Sequence, residues 1–224
     1  MTQEEGDQKL KAERANTTEF TLLFGNRGFK ASATAYQMKY ANFLYLGHSG
    51  LQTANRLPLK YWKQTDTTVK GFEVDASQAL ELGGYGKLTL SALADLVRNK
   101  ADHPDSLRAH NDGEYLPNMP TNRYGATLQW ENQGWKANLF GTRYDKQKYL
   151  GKSVSDEVPL DGYTMVNFQL SRAFQLPNSS VKEIEVFVSA SNLLDQDARP
   201  HNSPLKYIAP LPGRGFQLGV TGKI

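Results

Sequence analysis

The chain has 224 residues, 39% of them hydrophobic, and balances 26 Lys plus Arg against 23 Asp plus Glu. Its basic residues are scattered and form no phosphate-binding stripe, which excludes nucleic acid as a partner. There is no cysteine, so disulfide frameworks and thiolate metal sites are out. There is also no run of about 18 apolar residues to make a membrane-spanning helix, a criterion that leaves a β-barrel open because its lipid-facing residues come only at every second position.

In chain order, the opening Met1–Phe20 is charged and lacks the apolar core of a signal peptide, so an exported protein would lack its own beginning here. From Thr18 onward the dominant period is two. In GKLTLSALADLVR, Leu88, Leu90, Ala92, Ala94 and Leu96 alternate with polar residues. Tyr124, Ala126, Leu128 and Trp130 do the same in the next segment, followed by Val166, Phe168 and Leu170, then Ile184, Val186, Val188 and Ala190, then Phe216, Leu218 and Val220. About nine such segments start near Thr18, Gly28, Thr67, Gly86, Thr121, Gly134, Gly162, Lys182 and Gly213. Every second junction is tight and rich in Gly or Asn (25–28, 83–86, 132–134, 176–180). The others are long and polar, at roughly 45–66, 101–118, 148–160 and 194–211. Short turns on one rim and long loops on the other are the layout of an outer-membrane barrel.

A soluble sandwich or lipocalin-like barrel also has period two. Segments of ten to fourteen residues exceed the usual soluble strand and suit a tilted membrane span. The second face is strongly polar (Glu73, Asp75, Glu81, Lys136, Asn138, Thr142), which suits a wet lumen better than a dry core. Aromatic residues near segment ends, such as Tyr124, Trp130, Trp135 and Tyr144, match interfacial girdles, although ordinary strand aromatics would look the same. The expected fold is therefore all-β: antiparallel transmembrane β-barrel strands, about nine of them.

Particular stretches point further. EYLPNMPTNRYGATLQW (114–130), DGYTMVNFQLSRAF (161–174) and SASNLLDQDARPHNSPLKYIAPLPGRGFQLGVTGKI (189–224) resemble the C-terminal barrel strands of TonB-dependent outer-membrane receptors. GFEVDAS (71–77) resembles an upstream strand of the same barrels. The set Asn192-Leu193-Leu194-Asp195, then Arg199, His201, Ser203 and Lys206, then Pro210, Pro212, Gly213 and Arg214, is most similar to the branch that includes zinc-uptake receptors, with haem receptors as neighbours. The chain ends in Ile224, where the family typically ends in Phe or Trp.

The resemblance implies a Gram-negative outer-membrane protein whose complete form is a barrel of about 22 strands enclosing an N-terminal plug. Residues 1–17 then read as the remnant of an extracellular loop and residues 18–224 as the C-terminal part of the barrel, with the plug domain absent. The implied partners are outer-membrane lipid, the missing plug and strands, and TonB. The implied function is uptake of a metal or metal chelate, with zinc first and haem as an alternative. A free-standing small barrel acting as adhesin, porin or antigen scaffold is the other reading.

Imidazole and carboxylate are donors that suit Zn²⁺, and the 101–115 loop clusters His103, Asp105, His110 and Asp112, with His48 as a lone further candidate on the neighbouring loop. No pair there has the fixed spacing of a known zinc motif, and a solvated loop rich in Asp, Asn and His is the plain alternative. No resident cofactor is expected. His201 and Arg199 read as structural more than ligand-binding. Glu73, Asp75, Asp95, Arg98, Arg143 and Arg172 read as luminal charges pairing with one another or with the plug. No G-x-S-x-G, H-E-x-x-H, phosphate loop or cysteine nucleophile occurs, so an enzyme is not expected.

Overall fold

The computed structural model describes residues 3–101, 115–151, 157–177 and 180–224. It contains ten strands: β1 (Gln3–Glu5), β2 (Arg14–Asn26), β3 (Phe29–Gln52), β4 (Pro58–Glu81), β5 (Lys87–Ala101), β6 (Arg123–Asn132), β7 (Trp135–Tyr144), β8 (Tyr163–Gln175), β9 (Glu183–Ser191) and β10 (Gly215–Lys223). A single 3-10 turn, Gly83–Tyr85, accompanies them. Among the described residues no helix is long and apolar enough to cross a membrane.

β2 to β10 form one up-and-down antiparallel sheet in chain order, and β1 adds in parallel to β4. The sheet is open: β2 and β10 end its order and do not pair with each other. Two-residue turns set the register at one rim. Asn26 pairs with Phe29 across Arg27 (φ 36°) and Gly28 (φ 87°), and Asn132 pairs with Trp135 across Gln133 (φ 45°) and Gly134 (φ 84°). Two successive positive φ values match the right-handed twist of the flanking strands.

That register carries the alternation across the sheet. Leu90, Leu128, Leu139, Phe168, Ala190 and Phe216 stand side by side in one row. Ser91, Thr127, Phe140 and Asn167 occupy the adjacent row on the opposite face. Leu90, Leu128 and Leu139 are 41%, 40% and 42% exposed, and Phe216 is 77% exposed. An apolar face this continuous exceeds what a water-soluble surface carries, and a hydrocarbon solvent suits it. Slipping any strand by one residue would exchange the two faces, so the pattern itself pins the pairing.

Arg98, Arg143 and Arg172 depart from the sequence expectation. They share the parity of the outward leucines and not that of the luminal Glu73, Asp75 and Asp95. Arg172 lies near the tight-turn rim with its guanidinium 5.0 Å from the Trp135 ring centre and 5.6 Å from that of Phe174. Such stacking lets a cation sit at an interface on an aromatic platform.

The region 45–66, expected as a loop, is instead mostly strand, because β3 and β4 each run for 24 residues and only 53–57 connect them. At about 3.3 Å per residue such a hairpin is far longer than the ten or so residues needed to cross a bilayer. Its outer half is held by polar pairing. Thr67 is fully buried and its hydroxyl donates to the Lys100 carbonyl at 2.8 Å. A bulge at Asn42 (φ 59°) is fixed by its N–H donating to Asp66 at 2.9 Å. The N-terminal segment crosses this bulge, where the Gln64 amide both accepts from Lys11 N–H (2.7 Å) and donates to its carbonyl (2.6 Å). Tyr45, Ala101 and Leu116 form a small buried core at this level, with Phe43 and Met119 packed on it.

Two inward glycines mark close approaches. A β-carbon at Gly71 would sit 2.1 Å from Tyr36 Cζ, and one at Gly219 would sit 2.3 Å from Phe187 Cζ. In each case the aromatic ring on the directly paired residue lies over the glycine and covers its bare backbone.

Candidate functional site

The luminal face meets the loop layer in a chamber of about 420 Å³. Its wall is one inward residue from each of several neighbouring strands: Tyr36 of β3, Glu73 of β4, Asp95 of β5, Arg123 of β6, Tyr144 of β7 and Tyr163 with Met165 of β8. Its roof is Pro200, His201, Asn202 and Leu211 from the last long loop. The pleat explains the set, since pairing places Glu73 opposite Asp95, Asp95 opposite Arg123, Arg123 opposite Tyr144, and Tyr144 opposite Tyr163. Asp95 is ion-paired with Arg123, and Tyr144 stacks on Tyr163 with ring centres 4.7 Å apart. Among the described residues Glu73 has no such cation, so the chamber they form carries an excess of negative charge suited to a cationic group.

The roof is rigid for a reason the local sequence does not display. Glu157 is 2% exposed and gathers three loops. Its carboxylate accepts from the N–H of Asn118 (2.8 Å), from the N–H of Gly151 (2.7 Å) and from Lys206 Nζ. Lys206 also donates to Asn118 Oδ1 and to the His201 carbonyl, each at 2.9 Å. His201 Nε2 lies 3.2 Å from Glu157 Oε1, yet neither ring nitrogen makes a well-aligned hydrogen bond among the described residues. Burial alone pushes the Glu157 carboxyl up, but the His201 and Lys206 side chains and the two backbone N–H groups outweigh it and hold the group at about 2. Tyr207 spans the same layer, its hydroxyl accepting from Val158 N–H at 3.0 Å and donating to the Val158 carbonyl at 3.1 Å. Burial raises the pKa of that phenol.

Asn192 closes the base of the loop that carries His201. Buried and at positive φ (48°), it donates to the carbonyls of Gln196 (3.0 Å) and Pro212 (3.1 Å), while its own carbonyl oxygen Oδ1 accepts from Gln196 N–H at 2.9 Å. Asp195 takes the Arg214 N–H at 2.9 Å. The Asn192–Asp195 motif is thus a loop closure, and Arg214 is held there through its backbone. Arg199 pairs with Asp197 at 3.1 Å and reaches the Lys206 carbonyl at 3.2 Å, a structural role as the sequence suggested.

Of the metal candidates, His103, Asp105, His110 and Asp112 lie outside the described residues. For His48 the structure describes the backbone, paired with Lys60 in the long hairpin. Among the described residues no three His, Asp or Glu side chains come together as a metal site. Glu157, Lys206 and Asn118, which organise the roof, were not singled out as site residues from sequence. Lys206 meets Glu157 across 49 residues and Asn118 across 88, so no local spacing announces them.

Comparison with known families matches residues 1–193 to the TonB dependent receptor-like β-barrel model. The chain belongs to the TonB-dependent receptor β-barrel family. The sheet also superposes on solved structures described as the copper transporter OprC (TM-score 0.73, 17% identity, 97% of this chain and 32% of that one) and the FrpB iron transporter from Neisseria meningitidis, F3-3 variant (0.67, 19%, 98% and 32%). A third is a mutant of the ferric enterobactin receptor PfeA from Pseudomonas aeruginosa (0.60, 20%, 95% and 31%). At these identities the likeness is one of fold, and the chain spans about a third of the length of each. No curated protein matches the sequence significantly.

Proposed function

We propose that this chain is the C-terminal wall and loop layer of an outer-membrane receptor that takes up a metal ion or metal chelate with energy delivered through TonB, and that zinc is the cargo. The observation that carries the transport reading is the two-faced open sheet. Its outward row suits hydrocarbon, its inward row is polar, and its free edges at β2 and β10 call for further strands to close a barrel around a lumen. Family membership supports the same reading, as do the structural neighbours, which are described as a copper transporter, an iron transporter and a ferric enterobactin receptor. In this mechanism the long loops gather cargo and pass it to the acidic chamber beneath the His201 roof. Passage onward requires a plug to move.

Zinc rests on the imidazole and carboxylate content of residues 102–114. Calorimetric titration of the full chain in detergent with Zn²⁺, beside a His103→Ala/His110→Ala variant, tests it. The expected result is a binding isotherm for the parent and its loss in the variant. Equal heats would remove zinc capture by this loop, and tighter binding of Cu²⁺ or of a ferric chelate would reassign the cargo.

A further inference from the structure

The chamber under the His201 roof is larger than a bare metal ion requires, and it is lined differently. It holds about 420 Å³, whereas a divalent ion with six waters fills only about 180 Å³ at roughly 30 Å³ per water. Sites for organic molecules begin at about 300 Å³. Among the described residues no three His, Asp or Glu side chains gather to replace the waters of an ion. Asp95 is neutralised by Arg123, so Glu73 carries the charge left over among the described wall residues. One carboxylate is a poor cage for a metal and a sufficient partner for an organic cation.

The wall also has two unlike ends. At the β3 end the Tyr36 ring lies where a β-carbon on Gly71 would be, so one face covers that backbone and the other is turned to the lumen. Glu73 is the next inward residue after Gly71 on β4. A ring face beside a carboxylate draws an ammonium group. At the β8 end Tyr163 stacks on Tyr144 with planes 21° apart, and Met165 follows it into the chamber with Pro200 and Leu211 of the roof. These side chains are uncharged. Between β3 and β8 lie five strand spacings of about 4.8 Å, which sets the two ends roughly 24 Å apart along the sheet.

We propose that the chamber binds an elongated organic cation, with a quaternary ammonium head at Tyr36 and Glu73 and an apolar or aromatic body along Tyr144, Tyr163 and Met165. A quaternary head suits this end because it needs a ring face and one negative charge and no further hydrogen-bond acceptors. The inference rests on the chamber as the compartment for cargo, and it names what that cargo carries: an ammonium group, alone or on the organic ligand of a metal chelate. The roof residues Pro200 and Leu211 keep water from the body, which strengthens the pull of Glu73 on the head.

The full chain in a non-ionic maltoside detergent is titrated with choline, with its uncharged isostere 3,3-dimethyl-1-butanol and with 3-phenylpropyltrimethylammonium. Saturation transfer from tyrosine ring protons to the methyl protons of each probe reports contact. The parent should favour choline over the isostere about tenfold, a result that needs no variant. The phenylpropyl body should tighten binding by about tenfold more. Glu73→Gln should remove the preference for charge, while Glu131→Gln, an acid of the same face beside the tight turn at 132–135, should leave it. Zinc held by a bipyridine with one trimethylammonium arm, compared with the metal-free ligand, shows whether the group is read on a chelate or on a free cation. No saturation transfer, or equal binding of choline and isostere by the parent, overturns the inference. Displacement of choline by an equal concentration of Zn²⁺ also overturns it, marking the chamber for the bare ion and leaving the transport reading intact. Zinc capture by residues 102–114 is scored by its own titration, so either reading can fail alone.

Discussion

The membrane-crossing sheet and the loop layer above its lumen are built on opposite principles. In the sheet, stability comes from many equivalent contacts. Each strand is hydrogen-bonded to its sequence neighbour, the outward leucines are exposed in a continuous row, and no single side chain organises the rest. In the loop layer one carboxylate, Glu157, ties three loops through Lys206 and two backbone N–H groups. The difference teaches where the chain is tolerant and where it is brittle. A repeated pattern spreads the effect of a substitution, whereas a buried charge concentrates it.

The largest expected break is Lys206→Met. It strands a buried carboxylate, a defect that costs about 3–5 kcal/mol. Hydrogen exchange should show lost protection across 192–214 with the sheet amides unchanged, and an equal loss in both regions would contradict the division drawn here. Next is Leu128→Arg, which places a cation in the hydrocarbon and should cost about 2–4 kcal/mol of folding free energy in vesicles. Its neighbour Thr127→Arg, pointing into the lumen, should cost little, so similar penalties for the two would refute the two-faced sheet. The smallest effect is acid. The Glu157 carboxyl is held at about 2, below its ordinary 4.5, so its contribution is fully present above pH 4.5 and is lost as pH falls from there toward 2. By pH 3.5 the loss is about 1 kcal/mol. Near-ultraviolet circular dichroism from Tyr207 should be flat between about pH 6 and 8 and decline only in acid. In Lys206→Met the deficit should shrink on acidification, because a protonated Glu157 no longer needs the cation.

The same contrast decides what could be read from sequence. The sheet was legible because alternation at Leu88–Leu96 or Tyr124–Trp130 is a local signal, and Gly28 and Gly134 punctuate it at the turns. Even there, residues 45–66 read as loop because Lys60, Gln64 and Thr65 are polar, and their place in the hairpin depends on partners far along the chain, such as Lys11 for Gln64. Charge alone suggests the lumen for Arg98, Arg143 and Arg172, although their parity with Leu96, Leu139 and Leu170 places them outside. In the roof, Asn192 and Asp195 stood out as part of a motif, but the hydrogen bonds that explain them reach Pro212 and Arg214 across the loop. Glu157 carries no local signature, because Asn118 and Lys206 reach it from other loops.

The span of 88 residues between Asn118 and Lys206 also bears on the order of assembly. Hairpins joined by two-residue turns can zip without waiting for distant chain, while a contact across so long an interval is non-local and gains nothing until both ends are in place. The roof therefore locks after the wall has formed.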